Sequence, residues 1–205
     1  MQYPLSAGRP AKPSPLTHSH VGLDADAIEL LLADQHQIGK LFEAYAEMVV
    51  MAARADTRQR LVRLICSTLI AQDALEVELF YPAAREALAN KALIAAALGD
   101  HASWRGLVQR VLAARPSQPG YDERVARLGR RVRDPAHFET SVIFASLRRE
   151  GVDLGPLGSA MWRQRQLLQA AAQTPAPLGA AAKHRLSDRL SFARPDRYNR
   201  PHRSH

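Results

Sequence analysis

The chain has 205 residues, 46% of them hydrophobic and only 6% aromatic, enough for one well-buried core but not for two ordinary domains. One cysteine, Cys66, excludes an internal disulfide, no stretch approaches the ~20 consecutive apolar residues of a membrane span, and prolines and histidines stand early in the chain where an export signal needs an apolar core, so a cytoplasmic protein with no membrane association is expected. The net charge of +8 divides into +5 within residues 175–205 and +2 within residues 1–22, which leaves the folded part about neutral and without the ordered basic face that nucleic-acid binding requires.

Alanine, leucine and arginine dominate, and no run alternates apolar and polar residues for long, so the fold class is all-α. Residues 1–22 carry four prolines and read as a disordered arm; the folded domain spans 23–173, and the Pro- and Arg-rich segment 174–205 reads as a disordered basic tail. A first helix begins at Asp24 or Asp26 as cap. Its apolar face consists of Ile28, Leu31, Leu32, Ile38, Leu41, Phe42, Tyr45 and Val49. A second begins at Asp56-Thr-Arg-Gln59, which has the spacing of a capping box, and carries Leu61, Ile65, Leu69, Leu75 and Leu79 until Pro82 kinks or ends it. The third runs from about Asn90 to Ala114 and stops before Pro116 and Gly120. The fourth runs from near Tyr121 to Gly151 and is interrupted at Asp134-Pro135, where Asp134 is a good cap for a restart. A shorter fifth, about Pro156 to Ala172, packs through Leu157, Met161 and Leu168. Long helices joined by short loops pack antiparallel with their neighbours, which predicts an up-and-down four-helix bundle with a fifth helix against it.

Five polar residues fall on the inward stripes: Gln35, Gln72, Glu76, His101 and Glu139. Burying them is unfavourable unless something satisfies them, and they come from four helices at positions that can converge at mid-bundle, where helical proteins build metal and cofactor sites. Around them stand Asp26-Ala-Ile28, Leu31-Leu-Ala-Asp34, Glu76-Val-Glu-Leu-Phe-Tyr-Pro-Ala-Ala-Arg85, Asp100-His101 and the closing Gly151-Val-Asp-Leu-Gly-Pro-Leu-Gly158 with Met161 and Arg163. In these stretches, over roughly residues 24–172, the chain resembles the hemerythrin-like HHE cation-binding family.

The resemblance implies a bundle binding two irons through one His of the first helix, a His-x-x-x-Glu of the second, a His of the third and a His-x-x-x-Glu of the fourth. Carried over to this chain, Glu76, His101 and Glu139 remain as metal ligands. Gln35, Gln72 and Pro135 occupy the positions of three histidines, Val77 replaces a second Glu, and Asp134 stands where many relatives have another His. An amide oxygen is a weak donor beside imidazole and proline has no side-chain donor, so two irons lack ligands. His36 and His137, one and two residues from the inward positions, are rotated off the inner face.

The expected function is therefore a hemerythrin-like, non-catalytic binding or regulatory module with a depleted metal site and no resident cofactor. An oxidase or peroxidase would need a retained metal. The alternative is a metal-binding protein with either a mononuclear site, one Fe or other divalent metal at Glu76, His101 and Glu139, or a weakened di-iron site, and with the sensing or binding of O2, NO or iron that the resemblance implies for intact relatives. Arg105, one turn after His101, is expected to reach Glu76 or Glu139 and supply positive charge in place of metal. Tyr45 and Tyr81 could donate a hydroxyl to a bound oxygen species, but aromatics at helical spacing are expected in the core, and Cys66 is expected as packing rather than a redox thiol. A protein partner is compatible with this reading; nothing in the sequence identifies one.

Overall fold

In a computed structural model of the chain, the described residues are 25–173. The arm, the basic tail and Asp24 lie outside them. All regular structure among the described residues is helical, and no described helix is long and apolar enough to cross a membrane.

Helix α1 (Ala27–Val50) starts at Asp26, whose side chain accepts the Glu29 N–H while Glu29 accepts the Asp26 N–H, at 2.9 and 3.0 Å. This reciprocal cap is worth about 1 kcal/mol. The expected stripe is buried at Ile28, Leu31, Ile38, Leu41 and Tyr45, but Leu32 is exposed and Leu30 is buried in its place. The reason is that α1 is flanked by three helices, so its buried arc is wider than a single stripe and Leu32 falls at the edge of it.

Helix α2 (Ala55–Leu75) does not start at Asp56. Arg54 holds the cap position without a side-chain cap, and Asp56 lies inside the first turn, paired with Arg54 and Arg60. A carboxylate there is stabilised by the helix dipole without capping anything. The rod then widens into a π-helical turn, Glu76–Phe80, and continues as α3 (Tyr81–Ala87). Pro82 neither ends nor breaks it, because it falls in the first turn of α3, where a missing N–H is tolerated.

Helix α4 (Lys91–Ala113) is capped by the Asn90 side chain on the Ala92 N–H at 3.1 Å. After Gly120, which takes a left-handed φ of 74°, α5 (Tyr121–Phe138) leads through a second π-helical turn, Glu139–Phe144, into α6 (Ala145–Arg149). The expected interruption at Asp134-Pro135 does not occur: the helix passes through Pro135, and Asp134 is exposed within it. Buried Val125 and Leu128 before the proline and Ile143, Phe144 and Leu147 after it hold both halves in the core. Their burial outweighs the roughly 3 kcal/mol of a helix-interior proline. Helix α7 (Gly155–Gln173) closes the described chain and lies against α1 and α2.

Helix α1 also contacts α2 and α5, α2 contacts α4, and α4 contacts α5. The apolar core is split into two clusters. One gathers Ile28, Leu31, Leu75, Phe80, Ile94 and Ile143 among others, and the second includes Ile38, Leu69, Trp104, Val108 and Leu128. Along each of the four long rods a polar residue sits between the two clusters: Gln35, Glu76, His101 and Glu139. The site is this polar layer.

Candidate metal centre

Glu76, His101 and Glu139 are 1%, 4% and 4% exposed, and they are the buried polar or charged residues of the described core. Each offers one ligand atom, and these atoms lie within 4.8 Å of one another. Gln35, Gln72 and Pro135, the positions at which the resemblance implies histidines, border the same cavity of about 100 Å³ as these three. His36 and His137 are exposed.

Each carboxylate opens a π-helical turn. In an ordinary α-helix, residue i+5 is rotated well away from residue i, because each step turns about 100°. The wider turn is closed here by the Tyr81 N–H bonded to the Glu76 carbonyl, and it brings residue i+5 back over residue i. Tyr81 is thereby carried into the site. Its hydroxyl donates to Glu139 Oε1 at 2.5 Å and lies 2.8 Å from His101 Nε2. Expected as a core aromatic, it is both core and part of the polar layer.

His101 is oriented from behind. Its Nδ1 lies 2.8 Å from Asp73 Oδ1, which leaves Nε2 facing Glu76 Oε2 at 3.3 Å and the Tyr81 hydroxyl. A carboxylate on the far nitrogen of a histidine fixes its ring and raises its basicity, the usual arrangement behind a ligating imidazole. Arg105 does not reach Glu76 or Glu139. Its Nε–H donates to Asp73, 2.9 Å from Oδ1 and 2.8 Å from Oδ2, because residues four apart on α4 grip the same acceptor on α2.

The two glutamines hold the carboxylates. Gln72 Nε2 donates to Glu76 Oε1 at 2.6 Å, and Gln35 Nε2 donates to Glu139 Oε2 at 3.0 Å, with Thr140 donating in turn to Gln35 Oε1 at 3.1 Å. One oxygen of each glutamate is thus occupied by an amide, and the other, Oε2 of Glu76 and Oε1 of Glu139, faces the histidine and the tyrosine. Gln72 Oε1 is buried with no hydrogen-bond partner among the described residues.

Burial, and after it the charge of Glu139, pushes the Glu76 carboxyl well above the usual glutamate range. Burial also raises Glu139, opposed by the Tyr81 hydrogen bond, the His101 charge and the Gln35 hydrogen bond. Two carboxylates this close in a dry layer ionise together only beside a positive charge. Tyr81 is raised well above its ordinary value by burial and then by the charges of Glu76 and Glu139.

The donors present fit one cation. Two carboxylate oxygens and an imidazole nitrogen suit iron, manganese or zinc, and Gln72, whose buried Oε1 has no hydrogen-bond partner, lines the same cavity. They do not fit a di-iron centre, since Gln35 and Gln72 are occupied as hydrogen-bond donors to the carboxylates and Pro135 has no donor. Tyr45 stands elsewhere, bonded to Asp122, which also pairs with Arg58. Cys66 is buried in the second apolar cluster, as expected of packing.

Asp73 was not singled out in the sequence. The signal was its position three residues before Glu76, on one helix face, opposite the His101–Arg105 pair. Tyr81 carried no such signal, because nothing in the local sequence announces a π turn. No protein-family model matches the chain, and comparison with curated proteins and with solved structures finds no match.

Proposed function

We propose that this chain is a hemerythrin-like, up-and-down four-helix bundle that has lost di-iron chemistry and acts as a non-catalytic binding module, holding a single metal cation among Glu76, His101 and Glu139. The observation that carries the proposal is the convergence of all six implied ligand positions on one cavity, with a carboxylate or imidazole at only three of them. Asp73 behind His101 supports it further, since an outer-shell carboxylate of this kind orients a ligating ring. When bound, such a cation supplies the positive charge that lets both buried glutamates ionise together.

A second, metal-free reading rests on a different observation. All four oxygens of Glu76 and Glu139 already have partners in Gln72, His101, Tyr81 and Gln35. A closed network of that kind is self-sufficient once it shares a proton.

Metal analysis of protein purified from iron-supplied cells separates the readings. About one metal per chain, reduced in Glu76→Gln and in His101→Ala, is the expected result. Two irons per chain would sink both the single-cation site and the loss of di-iron chemistry, and a chain that stays metal-free when titrated with ferrous, manganous and zinc ions would leave the closed network.

A further inference from the structure

The Tyr81 hydroxyl touches two of the three ligand groups at once, at 2.5 Å from Glu139 Oε1 and 2.8 Å from His101 Nε2. Around a cation with bonds of about 2.1 Å, neighbouring ligand atoms lie roughly 3 Å apart. The chain Glu76 Oε2, His101 Nε2, Tyr81 Oη and Glu139 Oε1 has consecutive spacings of 3.3, 2.8 and 2.5 Å; the last two are hydrogen bonds here, and they put the phenol oxygen as near the ligand atoms as donors around one ion stand to one another.

We propose that Tyr81 is a fourth ligand of this centre, binding a ferric ion through its phenolate oxygen together with Glu76, His101 and Glu139. The inference rests on the single-cation reading and adds the identity of the fourth donor and of the oxidation state preferred. On binding, the O–H bond of Tyr81 breaks, its electron pair becomes the iron–oxygen bond, and the proton leaves to solvent. No electron is transferred. Three anionic oxygens and one imidazole form a hard donor set, which favours the trivalent ion over the divalent one.

The experiment is reconstitution of the purified full chain with ferric citrate, removal of unbound iron by desalting, and measurement of both the iron content and the visible and resonance Raman spectra. About one iron per chain with a broad phenolate-to-iron charge-transfer band and tyrosinate vibrations is expected. The band is lost in Tyr81→Phe and kept in Tyr45→Phe, whose hydroxyl lies on Asp122 instead. Iron retained at that stoichiometry without a band, or a band that survives Tyr81→Phe, overturns the role of Tyr81 and leaves the single-cation reading standing. Failure to retain any iron, or any zinc or manganese in a parallel titration, overturns the cation reading itself. Should Tyr81→Phe not fold, the tyrosinate vibrations of a chain in which Tyr3, Tyr45, Tyr121 and Tyr198 are all Phe decide the matter: retained they assign the ligand to Tyr81, lost they overturn it.

Discussion

Gly158 tests the fold at the point where its closing helix meets its first. A methyl group built there would lie 2.3 Å from the Ala25 carbonyl oxygen, 2.7 Å from the Asp26 carbonyl carbon and 2.8 Å from the Ala27 nitrogen. All three are backbone atoms, so no side chain can swing aside. An ordinary contact needs at least 3.4 Å, and α7 would have to retreat from α1 by about 1 Å, a shift on the scale that overpacking forces on a core. That retreat would strain the Ala27 N–H bond to the Leu154 oxygen at 3.2 Å and loosen Leu30, Leu31 and Met161, all fully buried. The cost of Gly158→Ala is therefore set at the top of the overpacking range, about 3 kcal/mol. For a domain of this size that is a fall in Tm of roughly 6–12 °C, read by thermal melting at 222 nm circular dichroism. Gly99 is the matched control: it is exposed within α4 with nothing within 4 Å of an added methyl group, and Gly99→Ala is expected to raise stability by about 0.5–1 kcal/mol. If Gly158→Ala melted within about 2 °C of the parent, where the 1–3 kcal/mol of overpacking cannot hide, the packing of α7 on α1 described above would be wrong.

Asp73→Asn leaves the volume in place and weakens the hold on His101; zinc affinity, measured by competition with a chelating dye, is expected to fall about 10–100-fold. A change below about threefold would remove Asp73 from the site's design. In the metal-free protein Glu76 and Glu139 both have raised folded values, chiefly through burial. Protons then bind more tightly folded than unfolded, so this stabilisation is complete below the unfolded glutamate value of about 4.3 and is lost as pH rises through the raised values. Urea midpoints of chelator-treated protein should fall as pH rises above the unfolded glutamate value, less steeply in Glu76→Gln; a rise with pH that Glu76→Gln leaves unchanged would contradict the burial argument. Burial pushes the Cys66 thiol up to about 12, so a disulfide reagent should modify it only at the rate of unfolding, and fast labelling of native protein would show that the second apolar cluster opens.

The helical rods were legible because their apolar residues repeat at the period of an α-helix, and Asp26 and Asn90 carry side chains that can cap. The same regularity hid the two π turns. An uninterrupted α-helix would turn Tyr81 well away from Glu76, five residues before it; the structure gives the turn one more residue and swings Tyr81 over Glu76. At Pro135 a local preference against helix interiors is overridden, because Val125, Leu128, Ile143 and Leu147 on either side impose continuity from the core. At Asp56 the capping spacing was present, yet the helix begins a residue earlier, so the carboxylate is in the first turn instead of before it.

The partner of Arg105 changes the electrostatics of the whole layer. Had the guanidinium reached Glu76 or Glu139, it would have stood in for a metal charge, and the layer would have needed no cation. It is committed to Asp73 instead. Three carboxyls, Asp73, Glu76 and Glu139, therefore face one guanidinium and one imidazole, and the imidazole is shared between Asp73 and Glu76. Balance in so dry a layer has to come from protons or from a bound cation. The glutamines favour neither by charge, being neutral, but they decide the geometry: by holding one oxygen of each glutamate, they leave the other oxygen of each turned toward His101 and Tyr81. Gln35 and Gln72 act as clamps on the two buried carboxylates, each fixing one oxygen and leaving the second turned into the layer.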